Sequence, residues 1–520
     1  MAVFFLLPAL LSAQTKEAPP ASSDDATKAG LKFAEVVGAI QQNYMGPIDP
    51  DHVIFDGGIR GMLSSLDPFS AFFDRDQFEL LKQLARGQAL GFGSILYVTP
   101  GKVLILQTAQ GSPSWRAGLG PGDEIVSVNG ERIARLDFQS LVQLLKRSRS
   151  HPVRLGVIHV GKVFPQDFEL RPAEVALPTV DKSFIWSTGI GYIHLTGFEM
   201  KTPREVVDAM AKLDAANLKG LLLDLRDNHG GMVDGAVEVA SLFLQPGKLV
   251  LTTRGRAMPE KAYETKAAPK HFDMPLVVLV NGNTASAAEV LTAALQEHDR
   301  AVIAGEPTFG KGVVQSVSEL SEKTGLALTT GQYFTPSGRS IQRPLPGTAL
   351  AFTTAGITEK PDLRTSPASK LTTASDPHTT QTAVFHTDDG RSVSAGGGIT
   401  PDVPIPGWNL DSWLSFLDQR GVITTFASQY LTLHGAIKEG FEVSPDVLDD
   451  FKSFLLRGGI AVPDEYWNKD QDYVRLHIKV ELFSLVFGLD RGDQVATRGD
   501  PQVQKASGLF PYVPDILKGR

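Results

Sequence analysis

The chain has 520 residues, of which 42% are apolar, and a formal net charge of −8. This length exceeds what one hydrophobic core usually holds, so we expect about three folded units. The modest negative charge excludes a nucleic-acid-binding protein, because such a protein carries a strongly basic surface. Because the chain has no cysteine and no H-E-x-x-H spacing, disulfides and zinc ribbons are excluded, and we expect neither a metal nor another cofactor.

The first thirteen residues, Met1 to Ala13, form an apolar run that ends in small residues. The run is too short to cross a bilayer and is typical of a secretory signal with its cleavage site. Since no basic residue precedes it, three interpretations stay open: a true start further upstream, a weak export signal, or an ordinary apolar terminus. We expect residues 1–27 to be a signal or disordered segment, and the protein to be exported to the periplasm or cell envelope.

Residues 28–85 predict a helical N-terminal region, because apolar residues recur near helical spacing. The segment Leu66 to Ser70 contains a proline and breaks this pattern before a helix resumes at Gln77. The residues that carry the helical spacing are Phe33, Val36, Val37 and Ile40.

From Gly91 onward, short strands replace the helical pattern. Gly91-Phe92-Gly93 resembles the carboxylate-binding loop of a PDZ domain, whose backbone N–H groups receive the terminal carboxylate of a peptide. The segment Ser112 to Gly130 matches the PDZ core, and Leu136 to Arg147 supplies its second helix. We therefore expect a PDZ domain at residues 86–172. Its expected peptide contacts are Gly91, Phe92, Gly93 and Ile95.

Residues 173–406 alternate apolar strands with helices, which predicts an α/β core. Within it, residues 345–395 are rich in Thr, Ser, Ala and Pro and predict a partly disordered surface insertion. Residues 407–520 predict a mostly helical domain. That domain fits a dimerisation element, an adaptor-docking surface or a structural brace equally well. The predicted core strands are Gly191–Leu195, Gly220–Leu225 and Leu276–Val280.

Ser286 and Lys311 are the candidate catalytic residues of this core. Ser286 opens a helix after the apolar strand at 276–280, and Lys311 lies in a glycine-bracketed turn, Gly305 to Gly312. A serine hydroxyl needs a base to become a nucleophile, and a buried lysine with a lowered pKa is such a base. Taken singly, the serine is an ordinary helix N-cap and the lysine an ordinary solvated side chain.

Two other chemistries are excluded by the residues around this pair. Gly305-x-x-x-x-Gly310-Lys311 nearly forms a nucleotide-binding loop, but Gly312 replaces the required Ser/Thr and a predicted strand follows instead of a helix. A Ser-His-Asp triad is the second: His298 and Asp299 lie one helix downstream of Ser286, but no Gly-x-Ser-x-Gly elbow surrounds the serine. We interpret His298 as a helix C-terminal residue.

Four motifs, in order, resemble those of the C-terminal processing peptidases, tail-specific serine proteases with an internal PDZ domain. The resemblance spans about residues 30 to 345, with an echo at Gly396–Asp402. As in that family, the serine and lysine lie 25 residues apart (311 − 286). The matching segments are Leu223–Gly231, Val280–Glu289, Phe309–Gln315 and Tyr333–Gln342.

The resemblance implies an αβ-sandwich peptidase core with an inserted PDZ domain, a helical N-terminal arm and a mostly helical C-terminal appendage. It implies that Gln315 orients Lys311 and that an oxyanion is bound by the N–H of Ala287 and by the pair Gly230-Gly231. This chain has His229 where the family commonly has proline. The expected partners are protein substrates with accessible C-termini, a second copy through the N-terminal arm, and an adaptor protein.

Two functional classes stay open. The favoured one is an exported, ATP-independent serine endopeptidase that recognises protein C-termini. The other is a holdase that captures chain ends on a peptidase fold without cutting them. The complete set of Ser286, Lys311 and Gln315 favours the enzyme.

Overall fold

The computed structural model describes residues 23–49, 52–85, 88–99, 101–109, 111–159, 162–176, 178–345 and 384–519. Its mixture of helices and sheets confirms the expected α/β class. The chain divides into two compact units, one of Met1–Ala85, His194–Pro404 and Pro511–Arg520 and the other of Arg86–Ile193 and Ile405–Phe510. Residues 1–22 of the expected signal or disordered segment and most of the expected insertion lie outside the described residues, whereas residues 23–27, expected to belong to the same segment, are helical.

The α-helices of the described part are α1 (Ser23–Asn43), α2 (Arg60–Ser64), α3 (Arg75–Ala85), α4 (Pro113–Arg116), α5 (Phe138–Ser148), α6 (Thr202–Lys212), α7 (Val233–Ser241), α8 (Ala287–Glu297), α9 (Ser412–Gln419), α10 (Val422–His434), α11 (Pro445–Arg457), α12 (Asp464–Phe487), α13 (Leu489–Gly499), α14 (Pro501–Ser507) and α15 (Val513–Leu517). A π-helix spans His52–Ile59, and short 3₁₀ turns connect several elements. None of the described helices is both long enough and apolar enough to cross a membrane.

The strands are β1 (Ala71–Phe73), β2 (Gln88–Gly91), β3 (Ser94–Thr99), β4 (Lys102–Thr108), β5 (Glu124–Val128), β6 (Glu131–Arg132), β7 (Val153–Ile158), β8 (Gln166–Leu170), β9 (Ala173–Ala176), β10 (Val180–Ser187), β11 (Ile190–Leu195), β12 (Gly220–Asp224), β13 (Leu249–Arg254), β14 (Lys261–Glu264), β15 (Leu276–Val280), β16 (Val302–Gly305), β17 (Val313–Glu319), β18 (Gly325–Phe334), β19 (Phe385–His386), β20 (Ser392–Val393) and β21 (Val403–Pro404). The three predicted core strands are confirmed to within a residue at either end.

In the first unit, β12, β15, β16 and β21 lie side by side in a parallel sheet. Strands β12 and β15 are buried along their whole length, as expected for parallel strands covered on both faces. The sheet positions the site because the carboxyl ends of β12 and β15 lead into the glycine pair and into Ser286.

A second, mostly antiparallel sheet of the same unit has the strand order β1-β18-β13-β14, with β17 also paired to β18. Strand β17 confirms that a strand, and not a helix, follows Lys311. Strand β1 was not predicted: it pairs with β18 through Ala71↔Ala327 and ties the N-terminal segment into the core.

The second unit contains the PDZ-like fold and the helical C-terminal segment. The PDZ sheet has the order β3-β4-β5-β7-β8, with β6 on β5, and packs around a core that includes Ile105, Leu141 and Val157. Strand β3 lies at the edge of this sheet. The predicted helical character of the C-terminal segment is confirmed by α9 to α14, and the core formed by α9 to α12 also takes in Leu104 of the PDZ sheet.

Candidate active site

Ser286 lies at the turn between β15 and α8. Its side chain is buried and its backbone is left-handed, with φ 57° and ψ −120°. Such a conformation is costly for a residue with a β-carbon and persists only where the surrounding structure enforces it. The structure therefore places the serine on a strained strand-to-helix turn although the sequence lacks the Gly-x-Ser-x-Gly motif. At the start of an eleven-residue helix, the hydroxyl also lies in the positive field of the helix dipole.

Lys311 is buried in the turn before β17, with 2% of its surface exposed. Burial lowers the pKa of the Lys311 amine from its ordinary 10.5 to about 8, although the carboxylates of Asp67 and Glu289 act to raise it. Its Nζ donates a hydrogen bond to Gln315 Oε1 at 2.8 Å. A lysine with this pKa has a sizeable neutral fraction at mildly alkaline pH and is then able to accept a proton.

Glu289 joins the segments of Ser286 and Lys311 through a single buried carboxylate. Its Oε2 accepts the backbone N–H of Ser286 at 2.8 Å and that of Lys311 at 2.9 Å. Its Oε1 accepts the Thr308 hydroxyl at 2.5 Å and the Gly310 N–H at 2.7 Å. Burial raises the pKa of Glu289, and these four hydrogen bonds oppose that shift by favouring the charged form.

Gln315 is held at both ends of its amide. Its Oε1 receives the Lys311 amine, and its Nε2 donates to the backbone carbonyl of Phe69 at 2.5 Å. Within the described residues, the Lys311 amine bonds to this glutamine and not to the Ser286 hydroxyl. Catalytic hydrogen bonds are often long in an unliganded site and shorten when substrate binds.

The glycine pair after β12 lies directly against the nucleophile turn. A β-carbon added at Gly230 would come within 2.9 Å of both the Ala287 nitrogen and Ser286 Cβ. The Gly230 N–H donates to Asn228 Oδ1 at 2.9 Å, whereas the N–H groups of Gly231 and Ala287 have no acceptor among the described residues. Two free N–H donors therefore lie on adjoining segments beside Ser286.

Asn228 fixes the relative position of these two segments. Besides accepting the Gly230 N–H, its side chain donates to the Leu195 carbonyl at 2.8 Å, and its own carbonyl accepts the Ala285 N–H at 2.9 Å. His229, where the family commonly has proline, is exposed and takes no part in these contacts.

Two further residues lie at the two ends of α8, Tyr333 beside Ser286 and His298 at the opposite end. Tyr333 is fully buried; burial raises the pKa of its phenol, and its interaction with Ser286 opposes that shift. It therefore stays protonated beside Ser286 at neutral pH. His298 caps the carboxyl end of α8, as predicted, and its Nδ1 lies 2.9 Å from Asp388 Oδ2.

The predicted carboxylate-binding loop of the PDZ fold joins β2 to the edge strand β3. The backbone N–H groups of Phe92 and Gly93 have no acceptor in the part of the chain that the structure describes. Phe92 packs against the PDZ core, and Ile95 on the edge strand is 52% exposed. The loop thus combines free N–H donors with an open strand edge, which are the two features that binding of a peptide C-terminus requires.

Sequence reasoning missed the contacts of Glu289 and Asn228. It predicted the break at Leu66–Ser70 but not that this turn lies against Lys311 and Gln315. Ser286 and Glu289 have the Ser-x-x-Glu spacing of a helix capping box, and this signal was available. No local sequence pattern predicts the contacts that Asn228 and Phe69 make with distant segments.

Comparison with known proteins agrees with this architecture. The profile of Peptidase family S41 matches residues 189–349, and that of a PDZ domain matches residues 104–158. The carboxy-terminal processing protease CtpA of Bacillus subtilis is 32% identical over 305 residues, which cover 58% of this chain and 65% of the relative.

Two further curated relatives are matched over more of their length. The carboxy-terminal-processing protease of Bartonella bacilliformis is 32% identical over 60% of this chain and 72% of its own. The carboxyl-terminal-processing protease of Synechocystis is 33% identical over 55% of this chain and 68% of its own. The chain therefore belongs to the carboxy-terminal processing proteases, serine-type peptidases of family S41 that carry a PDZ domain.

Proposed function

We propose that the protein is an exported, ATP-independent serine endopeptidase that recognises protein C-termini through its PDZ domain and cleaves with Ser286, Lys311 and Gln315. The observation that carries the proposal is the buried Lys311, whose pKa is lowered to about 8 and whose backbone shares the Glu289 carboxylate with Ser286. A lysine outside a catalytic site is ordinarily solvated, and burial does not lower the pKa of its amine.

In the proposed reaction, the neutral Lys311 amine takes the proton of the Ser286 hydroxyl as the oxygen attacks the scissile carbonyl. The N–H groups of Ala287 and Gly231 stabilise the resulting oxyanion. We assign the donor role to Gly231 because Asn228 already occupies the Gly230 N–H. The protonated lysine then gives its proton to the leaving amine, and water hydrolyses the acyl-enzyme through the same groups.

Gly230 contributes by its lack of a side chain. Its backbone lies so close to the Ser286 turn that a β-carbon at this position would clash with that turn. Gln315 orients the lysine, and Glu289 holds the lysine turn and the serine turn together.

Substrate selection is assigned to the Gly91-Phe92-Gly93 loop and β3. The free N–H groups of Phe92 and Gly93 suit a terminal carboxylate, and the unpaired edge of β3 suits an added peptide strand. Export rests on the apolar run of residues 1–13, which lie outside the described residues. Two partners stay predictions. One is a second copy of the chain, bound through the N-terminal arm, and the other is an adaptor protein, bound by the C-terminal helices.

The test is incubation, without ATP, of an unstructured protein with an apolar C-terminus, followed by mass spectrometry of the products. We expect new internal termini with the wild type and an intact protein with Ser286→Ala. An intact protein that stays bound to both enzymes would contradict the proposal and support the holdase.

A further inference from the structure

The turn from Leu66 to Ser70, which interrupts the N-terminal helices, lies against Lys311. Phe69 is 7% exposed and packs with Val313, Phe309 and Leu345. The centroid of its ring lies 5.0 Å from Lys311 Nζ. Its backbone carbonyl accepts the Gln315 amide. One residue of the turn thus covers the amine and binds the glutamine that holds it.

The Asp67 side chain fixes the shape of this turn. It is 3% exposed, and its Oδ1 accepts the backbone N–H groups of Phe69 and Ser70, each at 2.7 Å. Its Oδ2 accepts the Ser70 hydroxyl at 2.9 Å, and that hydroxyl accepts the Thr329 N–H at 3.2 Å. The turn is therefore clamped to itself and to β18, so the Phe69 carbonyl has a defined position.

The Phe69 carbonyl also determines which end of the Gln315 amide faces the lysine. A glutamine amide donates from its nitrogen and accepts through its oxygen. Because the nitrogen donates to Phe69, the oxygen is the end that meets the Lys311 amine, which it holds through one N–H. A reversed amide would direct its N–H groups at the amine, where they would repel the ammonium and would occupy the lone pair that the neutral base needs.

We infer that Phe69 and Asp67 are positioning residues for the general base: Phe69 orients Gln315 and keeps water from the Lys311 amine, and Asp67 holds the turn. This inference rests on the proposed function, in which Lys311 is the base. It makes the N-terminal segment a part of the active site and not only an assembly arm.

The two side chains act on the Lys311 pKa in opposite directions. The face of the Phe69 ring favours the ammonium, whereas its bulk adds to the burial that lowers the Lys311 pKa, and we expect the loss of burial to dominate when the ring is removed. The Asp67 carboxylate acts to raise the same pKa. A variant without the ring therefore shifts the pKa upward, and a variant without the carboxylate shifts it downward.

The experiment measures the pH dependence of kcat/KM for Phe69→Ala and Asp67→Asn. In the wild type, kcat/KM should rise with pH around pH 8, and we call this rise the rising limb. We expect the rising limb to move up by about one pH unit in Phe69→Ala and down by about half a unit in Asp67→Asn. Phe69→Leu, which keeps bulk without a ring face, should move the limb little or slightly downward.

Phe78→Ala is the matched control. Phe78 is 4% exposed, lies in α3 of the same segment and packs against Gly325. Its loss should lower the melting temperature and leave the limb in place. A limb that stays at the wild-type pH in both Phe69→Ala and Asp67→Asn would overturn the inference, whether or not activity falls. If Phe69→Ala does not fold, Asp67→Asn and Phe69→Leu carry the test.

A readout without catalysis separates this inference from the proposed function. The rate at which acetic anhydride modifies Lys311, followed by mass spectrometry across a pH series, reports the pKa of its amine directly. The same opposite shifts would support the positioning role even in an enzyme that cleaves nothing, whereas wild-type inactivity together with these shifts would contradict only the proposed function. Equal modification profiles in all variants would overturn the positioning role.

Discussion

Glu289 Oε2 accepts the backbone N–H of Lys311 at 2.9 Å and, with the same oxygen, the N–H of Ser286 at 2.8 Å. The proposed nucleophile and base come from segments separated by β16, and this buried carboxylate binds the backbone of both. The distance between them is therefore determined by an acidic residue that does not itself react.

Replacing Glu289 by glutamine should uncouple the two segments. An amide nitrogen in place of one oxygen would face N–H or O–H donors, so two of the four hydrogen bonds would be lost. We expect a loss of about 3 kcal/mol in stability and at least a hundredfold loss in kcat. Thermal unfolding and kinetics measure both. Glu264→Gln, at an exposed position on β14, is the control and should change neither.

Ser286→Ala and Lys311→Ala should each abolish proteolysis and leave the fold intact. Since the two side chains act as one unit, the double variant should be scarcely slower than either single variant. Lys311→Arg should also fail, because a guanidinium stays protonated. Hydrolysis of an unstructured protein measures all four; substantial cleavage by Lys311→Ala at neutral pH would refute the assignment.

Activity and stability should both depend on the protonation of Lys311. Activity should rise with pH through about 8 as the amine becomes neutral. The folded-state pKa lies below the unfolded value of 10.5, so the burial cost is present in full below about pH 8 and is relieved as pH rises towards 10.5.

Lys311→Met should therefore be inactive but more stable than the wild type at pH 7, by about 1–2 kcal/mol, with a difference that shrinks by pH 10. Denaturant titrations at the two pH values measure this. A difference that is the same at both pH values would show that Lys311 is not charged and buried at neutral pH.

Gly230→Ala should be far more harmful than an alanine at a glycine with a similar backbone. Gly230 has φ +96°, and its added β-carbon would approach the Ala285 carbonyl to 2.8 Å. We expect loss of activity and about 1–3 kcal/mol of destabilisation. At Gly247, with φ +82° and no atom within 4 Å of the added carbon, alanine incurs only the backbone strain. Equal activity in the two variants would contradict the close approach beside Ser286.

The PDZ domain should select substrates by their free C-terminus. Amidation removes the charged acceptor for the Phe92 and Gly93 N–H groups, so binding should weaken about tenfold or more, while cleavage at high peptide concentration should persist. Titration and hydrolysis of matched free-acid and amidated peptides test this. Equal affinities, or a preference unchanged after deletion of residues 88–172, would assign the PDZ domain a regulatory or scaffolding role.

The sequence by itself predicted the main core elements and the candidate reacting groups. The run Leu276–Val280 is apolar at every position, is only five residues long and is rich in valine, which favours a buried strand over a helix. Ser286, Lys311 and Gln315 lie close together along the chain. The PDZ segment was predicted from its resemblance to PDZ motifs, and the helical C-terminal region from the spacing of its apolar residues.

Only the tertiary structure decided how these groups are activated. Phe69 and Gln315 are 246 positions apart, and nothing local to either predicts that one binds the other. The left-handed backbone of Ser286, the shared Glu289 carboxylate and the lowered Lys311 pKa arise from packing between distant segments. Local patterns report which face of an element is buried, whereas burial of a particular charge and its partners depends on what the fold places against it.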